Sequence, residues 1–154
     1  MRLRLAVAVI VLGLTGACAG SVLANRTGDS TDPVAYRDLT HAIGPLTPFG
    51  RPTPHVFRHE RNYVNYISER LGTAAPAGYP ERMVVLFAVG PRSTPAYRLT
   101  VAGVVEHRDS IVVRLRELTP GPTDTTPSRL TFPYRAISIP WSAKPVTIDW
   151  VGRP

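Results

Sequence analysis

The sequence predicts a mainly β fold of the α+β kind, an antiparallel β-sandwich or strongly twisted sheet with one packed α-helix. Three observations carry that prediction. From Met83 onward the chain is a succession of apolar or alternating runs separated by turn-forming residues, the pattern of antiparallel strands. Only one stretch, "ERNYVNYISERLG", shows helical spacing. At 154 residues the chain has the length of one domain, enough to bury roughly two-thirds of its unfolded surface without a covalent staple. Cys18 is the only cysteine, so no intramolecular disulfide is available.

The first residues read as an export signal. Arg2 and Arg4 precede "LAVAVIVLGL", Leu5 to Leu14, which fits a signal h-region and is too short to span a bilayer. The following "LTGACAG" resembles the lipobox of bacterial lipoproteins, in which Cys18 would be acylated and become the first residue. "ACA", Ala17 to Ala19, also suits ordinary signal cleavage, and the uncharged stretch Leu5 to Leu23 suits a retained membrane helix. Each of the three places the remaining chain outside the cytoplasm. The expected division is therefore a signal peptide at 1–17, a lipidated N-terminus and tether at 18–33, and one β-rich domain at 34–154. The polar, aperiodic "AGSVLANRTGDSTDP" supplies the tether.

Within the domain, "VAYRDL" is a short first strand, the Gly- and Pro-rich segment Ile43 to Pro54 a long loop, and "HVFRH" a second strand. The helix follows. Tyr63, Val64, Ile67 and Leu71 recur on one side, and Gly72 is a natural stop. "MVVLFAVG", Met83 to Gly90, is apolar throughout and suits a central strand covered on both faces. In "AYRLTVAGVVEH" the alternation Tyr97, Leu99, Val101 slips to Val104, which places a β-bulge at Ala102 and Gly103. "HRDS" turns the chain into "IVVRLREL", with Ile111, Val113 and Leu115 on one face and the arginines on the other. After "TPGPTDTTPS", the run "RLTFPYRAISI" is an edge strand or is broken at Pro133, which cannot donate to a ladder. "KPVTIDWV" is last, with Val146, Ile148 and Trp150 alternating.

Composition narrows function mostly by exclusion. The formal charge of +7, less Arg2 and Arg4, is +5, and Lys144 is the only lysine. The arginines are scattered and lack the aromatic interleaving of a nucleic-acid surface, so contact with anionic lipid or envelope polymer is the better match. His55 and His59 would lie about 13 Å apart on a strand and could not share a metal. No Gly-x-Ser-x-Gly elbow or phosphate-binding glycine loop is present, so no catalytic residue, metal or cofactor is expected, and an envelope enzyme of unknown type stands as the last alternative.

The succession of helix, apolar strand, "RSTPAYRLTV", bulged hairpin, the spaced "TPGP" and "FPY", and a final strand resembles the PrcB-like family of protease stability complex proteins, over roughly Val56 to Val151. That resemblance implies an exported lipoprotein acting as a non-catalytic accessory subunit that binds and stabilises another exported protein, a protease among the candidates. The family turn usually reads Thr-Gly-Gly-Tyr. Here it is Thr94, Pro95, Ala96 and Tyr97, and Pro95 fixes φ where glycine would leave it free. At motif level the turn is also similar to the Thr-Gly-Tyr loop of chagasin-type protease inhibitors, which makes Ser93, Thr94, Pro95, Ala96 and Tyr97 a candidate partner-binding loop. The plainer alternative is a turn formed by Thr94 and Pro95 with Tyr97 packed inward. Pro133, Tyr134 and Trp141 are further candidate contacts, Trp141 because it falls in a connection, whereas Trp150 alternates into the core.

Overall fold

The computed structural model describes residues 31–46 and 49–152; the expected export signal and Cys18 lie outside the described residues. Chain order is β1 (Asp32–Pro33), β2 (Arg37–Asp38), α1 (Thr40–Ile43), β3 (Thr53–Phe57), α2 (Glu60–Ser68), β4 (Arg82–Ala88), β5 (Arg98–Glu106), β6 (Ile111–Leu118), β7 (Tyr134–Pro140) and β8 (Val146–Trp150). These strands form two four-stranded sheets, sheet A in the order β1-β5-β6-β8 and sheet B in the order β2-β7-β4-β3.

Apolar alternation explains the layering. Met83, Val85, Phe87 and Val89 on one face of β4 meet Leu99, Val104, Ile111, Val113 and Leu115 from sheet A, together with Ile137 and Ile139, and form the core between the sheets. Val84, Leu86 and Ala88 on the other face of β4 pack with Tyr134, Ala136, Ile43, Phe57, Tyr63 and Ile67 in a second core beneath the helices. The unbroken apolar run of β4 thus serves two cores at once, as a central strand covered on both faces must. The bulge falls where the slip in alternation predicts it, between Val101 and Gly103 against β6.

Several expectations are corrected. The segment expected as one strand, Val34 to Leu39, instead crosses from sheet A to sheet B between two short pairings, Asp32 with Glu106 and Arg37 with Ser138. Asp32 and Pro33, the last residues of the expected tether, pair with β5 as β1. Thr40–Ile43 forms a one-turn helix at the start of the expected loop. Pro133 sits just outside β7 and its carbonyl accepts the Val89 N–H at 3.1 Å, so the strand begins at Tyr134. β8 pairs with β6 in parallel rather than antiparallel. The reason is topological: β7 runs in the other sheet between them, and two reversals restore the original direction.

The C-terminus of α2 closes differently from the sequence pattern. The Ile67 carbonyl accepts the Gly72 N–H at 3.1 Å and the Ser68 carbonyl accepts the Leu71 N–H at 3.1 Å, a Schellman closure. Leu71, not Gly72, takes the left-handed conformation, with φ of 60°, and its side chain is 84% exposed instead of lying on the apolar stripe. Gly72 is needed for space: a Cβ there would collide with Leu46 Cδ2 and come within 2.9 Å of Ile67 Cγ2. Leu71→Gly is expected to raise stability by up to about 1 kcal/mol, because only the left-handed penalty and an exposed leucine are removed. A urea midpoint at or below the wild-type value would contradict this account.

Candidate functional site

The turn between β4 and β5 is built around Arg92. Gly90, buried with φ of 82°, takes the chain out of β4 in a conformation other residues rarely adopt. Arg92 then pairs with Thr131 in an isolated two-way bridge, its N–H donating to the Thr131 carbonyl at 2.8 Å and its carbonyl accepting the Thr131 N–H at 2.9 Å. The Arg129 N–H donates to the Ser93 carbonyl at 3.0 Å, so 129–131 is a short brace along 92–93.

The Arg92 guanidinium is the hub. It donates to both oxygens of Glu117, Nε to Oε1 at 2.5 Å and Nη2 to Oε2 at 2.9 Å. Nη1 donates to the carbonyls of Val89 at 3.2 Å and Pro91 at 3.0 Å, and the group sits 5.7 Å from the centre of the Tyr97 ring. Glu117 occupies the last inward position of β6 after Ile111, Val113 and Leu115, where its side chain is 9% exposed. Its hydrogen bonds raise the pKa of Arg92, so the guanidinium keeps its charge. Arg92 also lines a cavity of about 140 Å³ with Pro52, Val89 and Trp150, smaller than typical small-molecule sites.

The five residues of the candidate loop are therefore ordered before any partner arrives. Thr94 is 7% exposed, its hydroxyl accepts the Ala96 N–H at 3.3 Å, and its carbonyl accepts the Thr131 hydroxyl at 3.0 Å. None of the five has positive φ, so Pro95 and Ala96 build the turn without glycine geometry. Ser93 is exposed, while Pro95, Ala96 and Tyr97 are half-buried. The surface on offer is Ser93 and the outer edges of Pro95, Ala96 and Tyr97, with Thr94 facing inward.

Two exposed leucines border this turn. Leu118 pairs in register with Arg98, the residue after Tyr97, and Leu130 lies between the two bracing residues Arg129 and Thr131. They are 44% and 64% exposed. Leu118 was detectable in the sequence as a large apolar residue on the arginine-bearing face of its strand, and Leu130 as an isolated leucine after a proline-rich loop.

The structure separates the remaining candidates. Pro133 is half-buried at the same end as the turn. Tyr134 is not a partner contact: it is buried in the second core, its hydroxyl donates to the carbonyls of Thr40 and Gly44, and burial pushes the phenol up to about 12. Trp141 lies at the opposite end of β7, about 26 Å along the chain direction from Pro133. It is 48% exposed on a rigid connection: its N–H donates to the Glu81 carbonyl, and Arg58 donates to the carbonyls of Ser142 and Lys144, each at 2.9 Å. Trp150 is half-buried and meets Phe87 edge-on at 5.3 Å between ring centres. Trp141 and the turn thus cannot contact one small epitope.

The histidines stay apart as well. His59 is exposed at the N-cap of α2, and His55 stacks among Phe57 and Tyr66 at 6.0 and 4.5 Å. Among the described residues no group of three or more His, Cys, Asp or Glu could hold a metal ion. Burial, and then the charge of Arg70, lower the pKa of His55. The unfolded chain consequently binds a proton near pH 6.5 that the folded chain refuses until lower pH. Stability is expected to be fully present above about pH 6.5 and to fall as the pH drops below it, with His55→Phe flattening that part of the pH profile. Urea titrations on both sides of the window check this.

No curated protein and no solved structure matches the chain significantly. Residues 83–140 match the PrcB C-terminal family, a narrower span than the expected 56–151, running from β4 to β7 and containing both the Arg92-centred turn and its brace. Residues 83–140, which fold as strand, turn, bulged hairpin and returning strand, are therefore similar to a PrcB C-terminal domain.

Proposed function

We propose that this protein is a non-catalytic, exported and lipid-anchored accessory subunit that binds and stabilises another envelope or secreted protein, a protease being the first candidate. The observation that carries the reading is the PrcB C-terminal match over 83–140. The geometry supports it, since a turn braced by Glu117 and by residues 129–131 offers a preordered contact surface and costs little entropy on binding. Leu118 and Leu130 extend that surface with apolar area. A direct protease inhibitor presenting Ser93 to Tyr97 is the weaker reading, because Thr94 faces into the fold.

The test is cross-linked capture with the full chain from envelope extracts, followed by measuring the captured protein's lifetime in cells lacking this chain. The expected result is one specifically retained protein whose lifetime shortens. Retention of none by a folded chain would sink the proposal. Mass spectrometry of the mature N-terminus checks the anchor, with acylated Cys18 expected and an unmodified start at Gly20 contradicting it.

A further inference from the structure

We propose that the outer face of sheet A docks on an anionic lipid bilayer, an inference that rests on the membrane-tethered reading above. The pleat decides which residues are on that face. Leu99, Val104, Ile111, Val113 and Leu115 point into the core, so Arg98 and Thr100 on β5, and Arg114, Arg116 and Leu118 on β6, point outward. Half-buried Val105 and Val112 lie on the same face, and Thr147 and Asp149 continue it on β8. In register Arg98 opposes Leu118 and Thr100 opposes Arg116, which places Arg116 diagonal to Arg98 and two residues from Arg114, about 7 Å from each.

The face carries one compensating acid, Asp149, 3.7 Å from Arg114 in an exposed pair. Among the described residues neither Arg98 nor Arg116 has a carboxylate partner. Like charges on neighbouring strands repel, so the free domain pays for this grouping and an anionic surface relieves it.

Where the chain enters the fold points to a bilayer. The residues before Thr31 reach the domain at β1, an edge strand of this same sheet. Thirteen residues separate Cys18, the proposed anchor, from Asp32. A flexible chain of that length spans about 20 Å, a few Debye lengths at physiological salt. The face also covers only on the order of 500 Å², less than the roughly 800 Å² per partner of a stable protein interface, whereas a tethered domain needs only weak surface attraction.

The experiment compares partitioning of the full chain into phosphatidylcholine vesicles with and without phosphatidylglycerol. The ratio of the two isolates the charged face, since any insertion of the N-terminal segment contributes to both. Arg98→Gln with Arg116→Gln is expected to lower the anionic preference by about twenty-five-fold, at roughly five-fold per arginine near the surface, and added salt should erode it. Arg98→Lys with Arg116→Lys should retain it. Arg37→Gln with Arg61→Gln removes equal charge from β2 and α2 and should leave it unchanged. An unmoved ratio in the first pair, or an equal loss in the off-face pair, overturns the proposal. Failure of the acylated wild type to bind neutral vesicles counts against the tether alone, and binding to the anionic vesicles, compared between wild type and variants, still reports on the face.

Discussion

Arg92→Ala is expected to lower stability by about 3 kcal/mol and to release the Ser93–Tyr97 turn. The substitution leaves Glu117, with only 9% of its side chain exposed, as an uncompensated carboxylate at the rim of the inter-sheet core. Removing one partner of a buried ion pair costs roughly 3–5 kcal/mol, and the 26% exposure of Arg92 places this case at the lower end. The carbonyls of Val89 and Pro91 lose a donor in the same step. Arg92→Met combined with Glu117→Leu should recover most of the loss, because apolar side chains of similar volume remove the stranded charge. Urea unfolding of Arg92→Met, Glu117→Leu and the double variant gives the coupling energy directly. If Arg92→Met and Glu117→Leu prove additive, the pair is not the hub described above. In the folded fraction of Arg92→Ala, capture of the partner should weaken, whereas a turn with a purely structural role would leave capture unchanged.

Leu86→Ala should cost about 3 kcal/mol, within the 2–5 kcal/mol typical of buried leucine truncations. Leu86 is fully buried on the face of β4 that meets α2, away from sheet A. Its loss opens a cavity beneath Tyr63 and Ile67, neither of which can collapse freely because α2 is closed at its end by the Ile67–Gly72 hydrogen bond. The result bears on domain organisation, since α2 and β3 lie outside the 83–140 match. A cooperative loss measured equally by far-ultraviolet dichroism and by tryptophan fluorescence means that the helical layer folds with the sandwich. A loss below about 1 kcal/mol would show that the second core is dispensable.

Much of the fold was legible because it follows from local periodicity. The continuous apolar run of Met83 to Gly90 can be satisfied only by burial on both faces, and the slip from Val101 to Val104 requires one extra residue against the neighbouring strand. Tyr63 and Ile67 mark the buried side of α2 for the same reason. The turn at Ser93 to Tyr97 was also visible, as a proline-containing break between two strands.

What the sequence determined by itself was therefore the β-rich class, the single helix of substantial length, the central strand and bulge, and the place of the candidate turn. Only the tertiary structure decided that β8 runs parallel to β6, that Tyr134 is a core residue, that Leu71 takes the left-handed position, and that Arg92 closes on Glu117 twenty-five residues away. It also decided that Thr94 turns inward and that Arg98, Arg114 and Arg116 share one open face. The division has one physical cause. Which residues are buried within a strand depends on neighbours two positions away in the chain, but which strands lie side by side depends on how both sheets pack their apolar faces together.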